Sequence, residues 1–142
     1  MPTHDIQADT IVLQTLLGFD YGTQRIGIAI GQSITGTASA LCTINSSHGK
    51  PDWDRITEII EHWRPDALVV GLPLHDDGSD SDITKAARKF AHQLEGRYQL
   101  PVYSMDERLS SHAAKQHRKQ TTSNQELDAI AAMIILQNWL ET

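Results

Sequence analysis

Acidic residues stand at several places where this chain changes direction. Asp20 ends the apolar run LLGFDY, which reads as a strand, and Asp106 and Glu107 end a second short run, PVYSM. Asp128 lies one turn into LDAIAAMIIL, which reads as a helix. Open α/β sheets build their sites at strand ends, so these acids are candidates ahead of scattered surface carboxylates. The chemistry on offer is binding of hard cations. Carboxylate oxygens suit Mg2+ or Mn2+, and two such ions about 4 Å apart need bridging carboxylates. Each acid also has a plainer explanation. Strands often finish in Asp because it forms turns. An acid near a helix N-terminus is favoured by the dipole when it faces water, and is costly when buried unpaired. Asp106 and Glu107 are neighbours, so strand alternation points them apart and leaves at most one to face a shared centre.

Gly22, two residues beyond Asp20, would admit the backbone of a phosphodiester, with Thr23 and Arg25 as donors; a hairpin turn explains the same glycine. The loop HDDGSD after residue 74 is acid-rich, but the twelve-position calcium loop with its terminal Glu is missing. Zinc-type histidine spacing, a nucleophile elbow, a Walker lysine loop and a dinucleotide fingerprint are all absent from the sequence.

The elements that must carry these acids follow from periodicity. Strands are expected over 16–21, 25–31 and 38–45, the first two joined by the turn at Gly22. Trp53, Ile56, Ile60 and Trp63 recur at three and four, predicting a helix over 52–64 that Pro65 stops. ALVVG (67–71) is apolar without alternation, as in a strand buried on both faces. A helix is expected over 79–98, started by Ser79 and Asp82 at capping-box spacing, then a strand over 101–105. A short helix over 111–118 and a last helix capped by Ser123 and Glu126 complete the chain. Three strands that fold back, then strands separated by helices, give an α/β domain: a mixed five-stranded sheet flanked by helices. Residues 1–15 read as a flexible arm and 16–142 as a single domain.

The 142 residues suffice for one domain with a sizeable core. One cysteine excludes an intrachain disulfide and fits a reducing compartment. No apolar run approaches the roughly 18–20 residues that span a bilayer, and the head lacks a leader's basic and apolar regions, so a cytoplasmic location without membrane contact is expected. The formal charge is -6, from 12 Lys and Arg against 18 Asp and Glu. It is unevenly spread: residues 83–120 carry eight bases and three acids, the rest four bases and fifteen acids. The basic stretch, with Lys85, Lys89 and Lys115, is the candidate nucleic-acid surface, and a solvated helix face is its alternative.

FDYGTQRIGIAI, VVGLPLHDDGS, VYSMDERLSS and ELDAIAAMIILQNWL resemble, in order and spacing, the YqgF family of Holliday-junction-resolvase-like proteins, also called pre-16S rRNA nucleases. The likeness runs from Leu16 to Leu140. It implies a ribonuclease-H-like fold with sheet order 3-2-1-4-5. It also implies a divalent-metal-dependent nuclease whose ions, Mg2+ or Mn2+ and two in number, are gathered by Asp20, Glu107 and Asp128. Arg25 and Arg108 would act on the phosphate, and the backbone at Gly22 and Thr23 would approach it. The implied substrate is RNA, in 5′-end maturation of precursor 16S rRNA or on a pre-30S particle, with the protein a monomer or weak homodimer. Two alternatives stand beside it: a nuclease for four-way DNA junctions, and a noncatalytic protein binding rRNA or a transcription complex. The chain departs from many relatives in having Gly31-Gln32-Ser33 where they carry a Ser-Asp pair. A phosphate-binding domain of the actin-like ATPase kind is also suggested by Asp20-Tyr21-Gly22-Thr23, but such proteins need two domains.

Overall fold

The computed structural model describes residues 14–109 and 124–142. Among them are six strands and three α-helices: β1 (Thr15–Asp20), β2 (Arg25–Gln32), β3 (Thr37–Ser47), β4 (Lys50–Pro51), α1 (Trp53–Trp63), β5 (Ala67–Leu72), α2 (Asp82–Tyr98), β6 (Val102–Asp106) and α3 (Asn124–Leu140). The sheet order is β4-β3-β2-β1-β5-β6. The expected five strands are present in the expected order, 3-2-1 followed by the two later strands. The sixth is the two-residue β4, which pairs only with Ser46 and Ser47 at the end of β3. It is too short to show as a run of apolar residues. The expected short helix over 111–118 lies outside the described residues.

β1 pairs antiparallel with β2 and parallel with β5, and β5 pairs parallel with β6. Strand alternation divides the core in two. Leu17, Phe19, Ile26, Ile28, Leu68 and Val70 face one side, where α1 and α2 cover them with Ile56, Phe90 and Leu94. Leu16, Ala29, Ala67 and Val69 face the other, under Ala132, Ile135 and Leu136 of α3. β5 is buried along its whole length, as its unalternating sequence predicts.

The helices start and stop for local reasons. The Asp52 side chain caps α1 by accepting from the Arg55 N–H, and Arg64 closes it in the left-handed region at φ 47° ahead of Pro65. Trp63 corrects an expectation: it is 39% exposed at the end of α1, so only Trp53 of the pair packs inward, against Phe90. The start of α2 is a second correction. Ser81 and Thr84 form the capping box, not Ser79 and Asp82. The Ser79 hydroxyl is taken by Asp77 at 2.6 Å, within the loop. The α3 cap expected at Ser123 lies outside the described residues.

Candidate active site

Asp20, the last residue of β1, faces the α3 side of the sheet, in register with Gly27 of β2. Glu107 opens a 3-10 turn, Glu107–Leu109, directly after β6. β5 lies between β1 and β6, and Gly71 is the residue that lets Glu107 reach across it. A Cβ on Gly71 would come within 2.9 Å of the Glu107 Cγ. The two carboxyl groups lie close enough to perturb each other's ionisation. Burial pushes the Asp20 carboxyl well above the ordinary range, and the neighbouring Glu107 and Asp128 charges push it further. Burial also raises Glu107, against an opposing effect of the adjacent Asp20 carboxyl.

Asp128 is delivered from above by α3. A row of glycines faces this helix: Gly18, Gly27 and Gly31, where an added Cβ would collide with Leu136 or with the Asp128 main chain, and Gly71, where it would collide with Ile135. The small Ala129 and Ala132 are the helix's half of the contact, both buried. The seat is fixed at the far end by Gln137, whose side chain accepts from the Ala38 N–H and donates to the Gly36 carbonyl. Asp128 therefore lies close enough to Asp20 to oppose its ionisation. Its carboxylate, however, is bonded by Arg25, with Nε donating to Oδ2 at 2.6 Å.

The sequence-predicted residues thus fall into groups. Asp20 and Glu107 are in contact, and Asp128 with Arg25 forms a second pair beside them. Among the described residues no three Asp, Glu, His or Cys side chains are grouped to hold one ion together. Asp106 points away from Glu107, as alternation requires, and binds Arg108 through its Nε and Nη2 atoms. Arg108 also donates to the Asp76 carbonyl at 3.0 Å, tying the 75–80 loop to the end of β6. Gly22 is explained by its own turn, since a Cβ there would meet the Arg25 carbonyl oxygen. Thr23 is exposed on that turn. Lys85 and Lys89 are exposed on α2, across the sheet from α3. Lys115 lies outside the described residues.

Residues 14–142 match a family model, RuvX, described as Holliday junction resolvase. The chain belongs to the RuvX family. Among curated relatives, a Pseudomonas fluorescens protein named "Putative pre-16S rRNA nuclease" is 50% identical over 137 residues, covering 92% of this chain and 94% of its own. A Pseudomonas paraeruginosa relative of the same name is 47% identical, covering 90% and 92%. Among solved structures, Thermus thermophilus RuvC in complex with a Holliday junction substrate superimposes with a TM-score of 0.57 at 17% identity, covering 89% of this chain and 93% of that one. Fowlpox virus resolvase gives 0.56 at 12%, covering 89% and 97%. At these identities the likeness is one of fold, and it matches this RuvX-family chain's mixed sheet with helices on both faces. No helix among the described residues is long and apolar enough to cross a membrane.

Proposed function

We propose that this RuvX-family chain is a divalent-metal-dependent nuclease that hydrolyses RNA phosphodiester bonds, acting in the cytoplasm in 5′-end maturation of precursor 16S rRNA. The observation that carries this reading is the Asp20–Glu107 carboxyl pair, brought together across the end of β5, with Asp128 held beside it. Two mutually repelling acids brought into contact in a poorly hydrated place are costly unless something positive joins them. The curated relatives' names supply the substrate.

The donor set fits the metal. It consists of carboxylate oxygens, which hard divalent ions prefer, and the neighbouring carboxyls of Asp20 and Glu107, each held above its ordinary range chiefly by burial, mark a point where a cation gains two ligands. Asp20 and Glu107 would hold the first ion, and Asp128 would join them on leaving Arg25. Bound Mg2+ or Mn2+ supplies charge neutralisation, water activation and stabilisation of the leaving oxygen. The chain's own groups then divide the remaining work. Glu107 and Asp20 fix the ligand positions from rigid strand ends. Arg25, half-exposed at the mouth of the site, offers a guanidinium to the substrate phosphate. Arg108 stiffens the neighbouring loop by bonding Asp106 and Asp76, alongside the phosphate contact that the family resemblance implies for it.

The test is cleavage of defined precursor 16S rRNA and of four-way DNA junctions, with Mg2+ or Mn2+, by wild type and Asp20→Asn. Metal-dependent cleavage of the RNA, lost in Asp20→Asn, supports the proposal. Cleavage of the junction alone moves the assignment to the activity named for the family model, which needs two coordinated incisions and a twofold dimer in solution. Tight RNA binding with no cleavage under any metal moves it to a noncatalytic rRNA-binding role.

A further inference from the structure

Arg25 occupies a place where a divalent ion has its own claim. It starts β2, two residues before Gly27, the partner of Asp20, and so shares the α3-facing side of the sheet with both acids. Its bond to Asp128 joins residues 103 positions apart. Only Nε takes part; neither Nη group bonds any described residue. The pair is not sealed in, with side chains 36% and 24% exposed, so solvent, ions and substrate can reach it. Asp128 therefore has two suitors, the guanidinium now bonded to it and an ion held by Asp20 and Glu107. A guanidinium and a divalent ion on one small carboxylate would repel each other strongly. A phosphodiester offers Arg25 a better partner than a single carboxylate oxygen, since its two non-bridging oxygens match the guanidinium fork.

We propose that Arg25 and a divalent cation exchange on Asp128, and that a phosphate group entering the site draws Arg25 off. This deepens the nuclease reading and rests on it. Without a phosphate the site stays at two carboxylates with the third neutralised by Arg25. With one, the third ligand is released and the arginine moves onto the group to be cleaved. Metal loading and phosphate binding then favour each other, as linkage requires when both act on one contact.

The test reads metal binding, not turnover. Mn2+ affinity is measured by electron paramagnetic resonance on the full-length wild type, Arg25→Gln, Asp128→Asn and the double variant. Exchange predicts that Arg25→Gln binds Mn2+ at least ~10-fold tighter, and that Asp128→Asn costs less than ~2-fold in wild type but about 10-fold in the Arg25→Gln background. Asp20→Asn is the control for the site itself. If Mn2+ binding depends on Asp20 but is equal in wild type and Arg25→Gln, the exchange is overturned and the metal site stands. If no variant shows Asp20-dependent binding, both fall. A second measurement avoids substitution in the sample observed. In wild type carrying 15N-arginine, the Arg25 Nε–Hε signal, assigned by its absence from Arg25→Gln, should shift when Mg2+ and adenosine 5′-monophosphate are added together. A signal unmoved at saturation of both would overturn the proposal.

Discussion

Gly27 of β2 lies directly under the main-chain carbonyl of Asp128, so close that any side chain at 27 would overlap it. The consequence is positional. α3 comes down onto β2 at the residue that pairs with Asp20, and its first turns therefore bring Asp128 to the Asp20 end of the sheet. Gly27→Ala should force α3 outward at that end. Overpacking of a tight contact costs about 1–3 kcal/mol, and a backbone obstacle belongs at the upper limit. Urea unfolding should show that loss. Because the displaced residue carries Asp128, Asp20-dependent Mn2+ binding with Arg25 removed should weaken more than in a control such as Ala129→Gly, which loosens the same contact without blocking it.

The raised carboxyls of Asp20 and Glu107 fix the sign of a pH effect. A group whose native pKa lies above its unfolded value keeps a proton that the unfolded chain has given up. Its contribution to stability is complete below the ordinary value near 4 and is lost as pH rises through the raised one. The metal-free protein should therefore melt at a lower temperature at about pH 8 than at about pH 5, and Asp20→Asn should flatten that fall. The lowered carboxyls of Asp106, Asp80 and Asp77, held by Arg108, Arg88 and Ser79 respectively, act oppositely, and their contribution disappears below about pH 4. Mg2+ should restore the melting temperature most at the alkaline end, where it replaces a missing proton; at 100 times its dissociation constant it contributes about 2.7 kcal/mol. Equal gains at both pH values would remove the acid pair from the metal site.

Lys85 and Lys89 project from α2 on the opposite side of the sheet from Asp128. Lys89 also borders an open groove of about 470 Å3 with Tyr21, Thr23, Gly49, Lys50 and Trp53. A strand crossing the sheet end at Asp20 would meet this groove through Tyr21 and Thr23. Replacing both lysines by Glu should flatten the dependence of log affinity on log salt by about 1.4 for single-stranded RNA, two phosphate contacts at roughly 0.7 each. An unchanged slope would confine the RNA to the α3 side.

Much of this architecture was legible because each strong signal was local. The unalternating ALVVG gave β5, the three-and-four spacing from Trp53 gave α1, and the carboxylates stood out by ending apolar runs. What escaped was whatever needed a second element to be seen. Ser79 and Ser81 are two residues apart and each has a plausible partner three positions on, so only the loop that engages Ser79 decides between them. Gly18, Gly27, Gly31 and Gly71 read as strand residues, and only the docked α3 reveals why no side chain is allowed there. Arg25 reads as a phosphate contact. Its bond to Asp128 spans most of the chain, and nothing within either segment signals it.

Asp128→Asn separates catalysis from folding at the acid least explained by structure. Asn keeps the size of the side chain, and the buried Ala129, Ala132, Ile135 and Leu136 that seat α3 are untouched. The substitution loses a half-exposed ion pair with Arg25, a contribution of this kind being worth at most about 1 kcal/mol. The melting temperature should therefore change little. Removing a negative charge beside Asp20 should also leave metal-free RNA binding intact or tighten it, since Arg25 is then released toward the phosphate. Cleavage under single-turnover conditions should nevertheless fall by at least ~100-fold, the scale of one lost contact to the developing charge. If Asp128 served only to hold Arg25 and the helix end, the same small change in stability would come with near-normal cleavage. Melting temperature, metal-free affinity and cleavage measured on one preparation distinguish the two outcomes. A well-folded Asp128→Asn protein that still cleaves at the wild-type rate would leave Asp20 and Glu107 as the whole of the metal site.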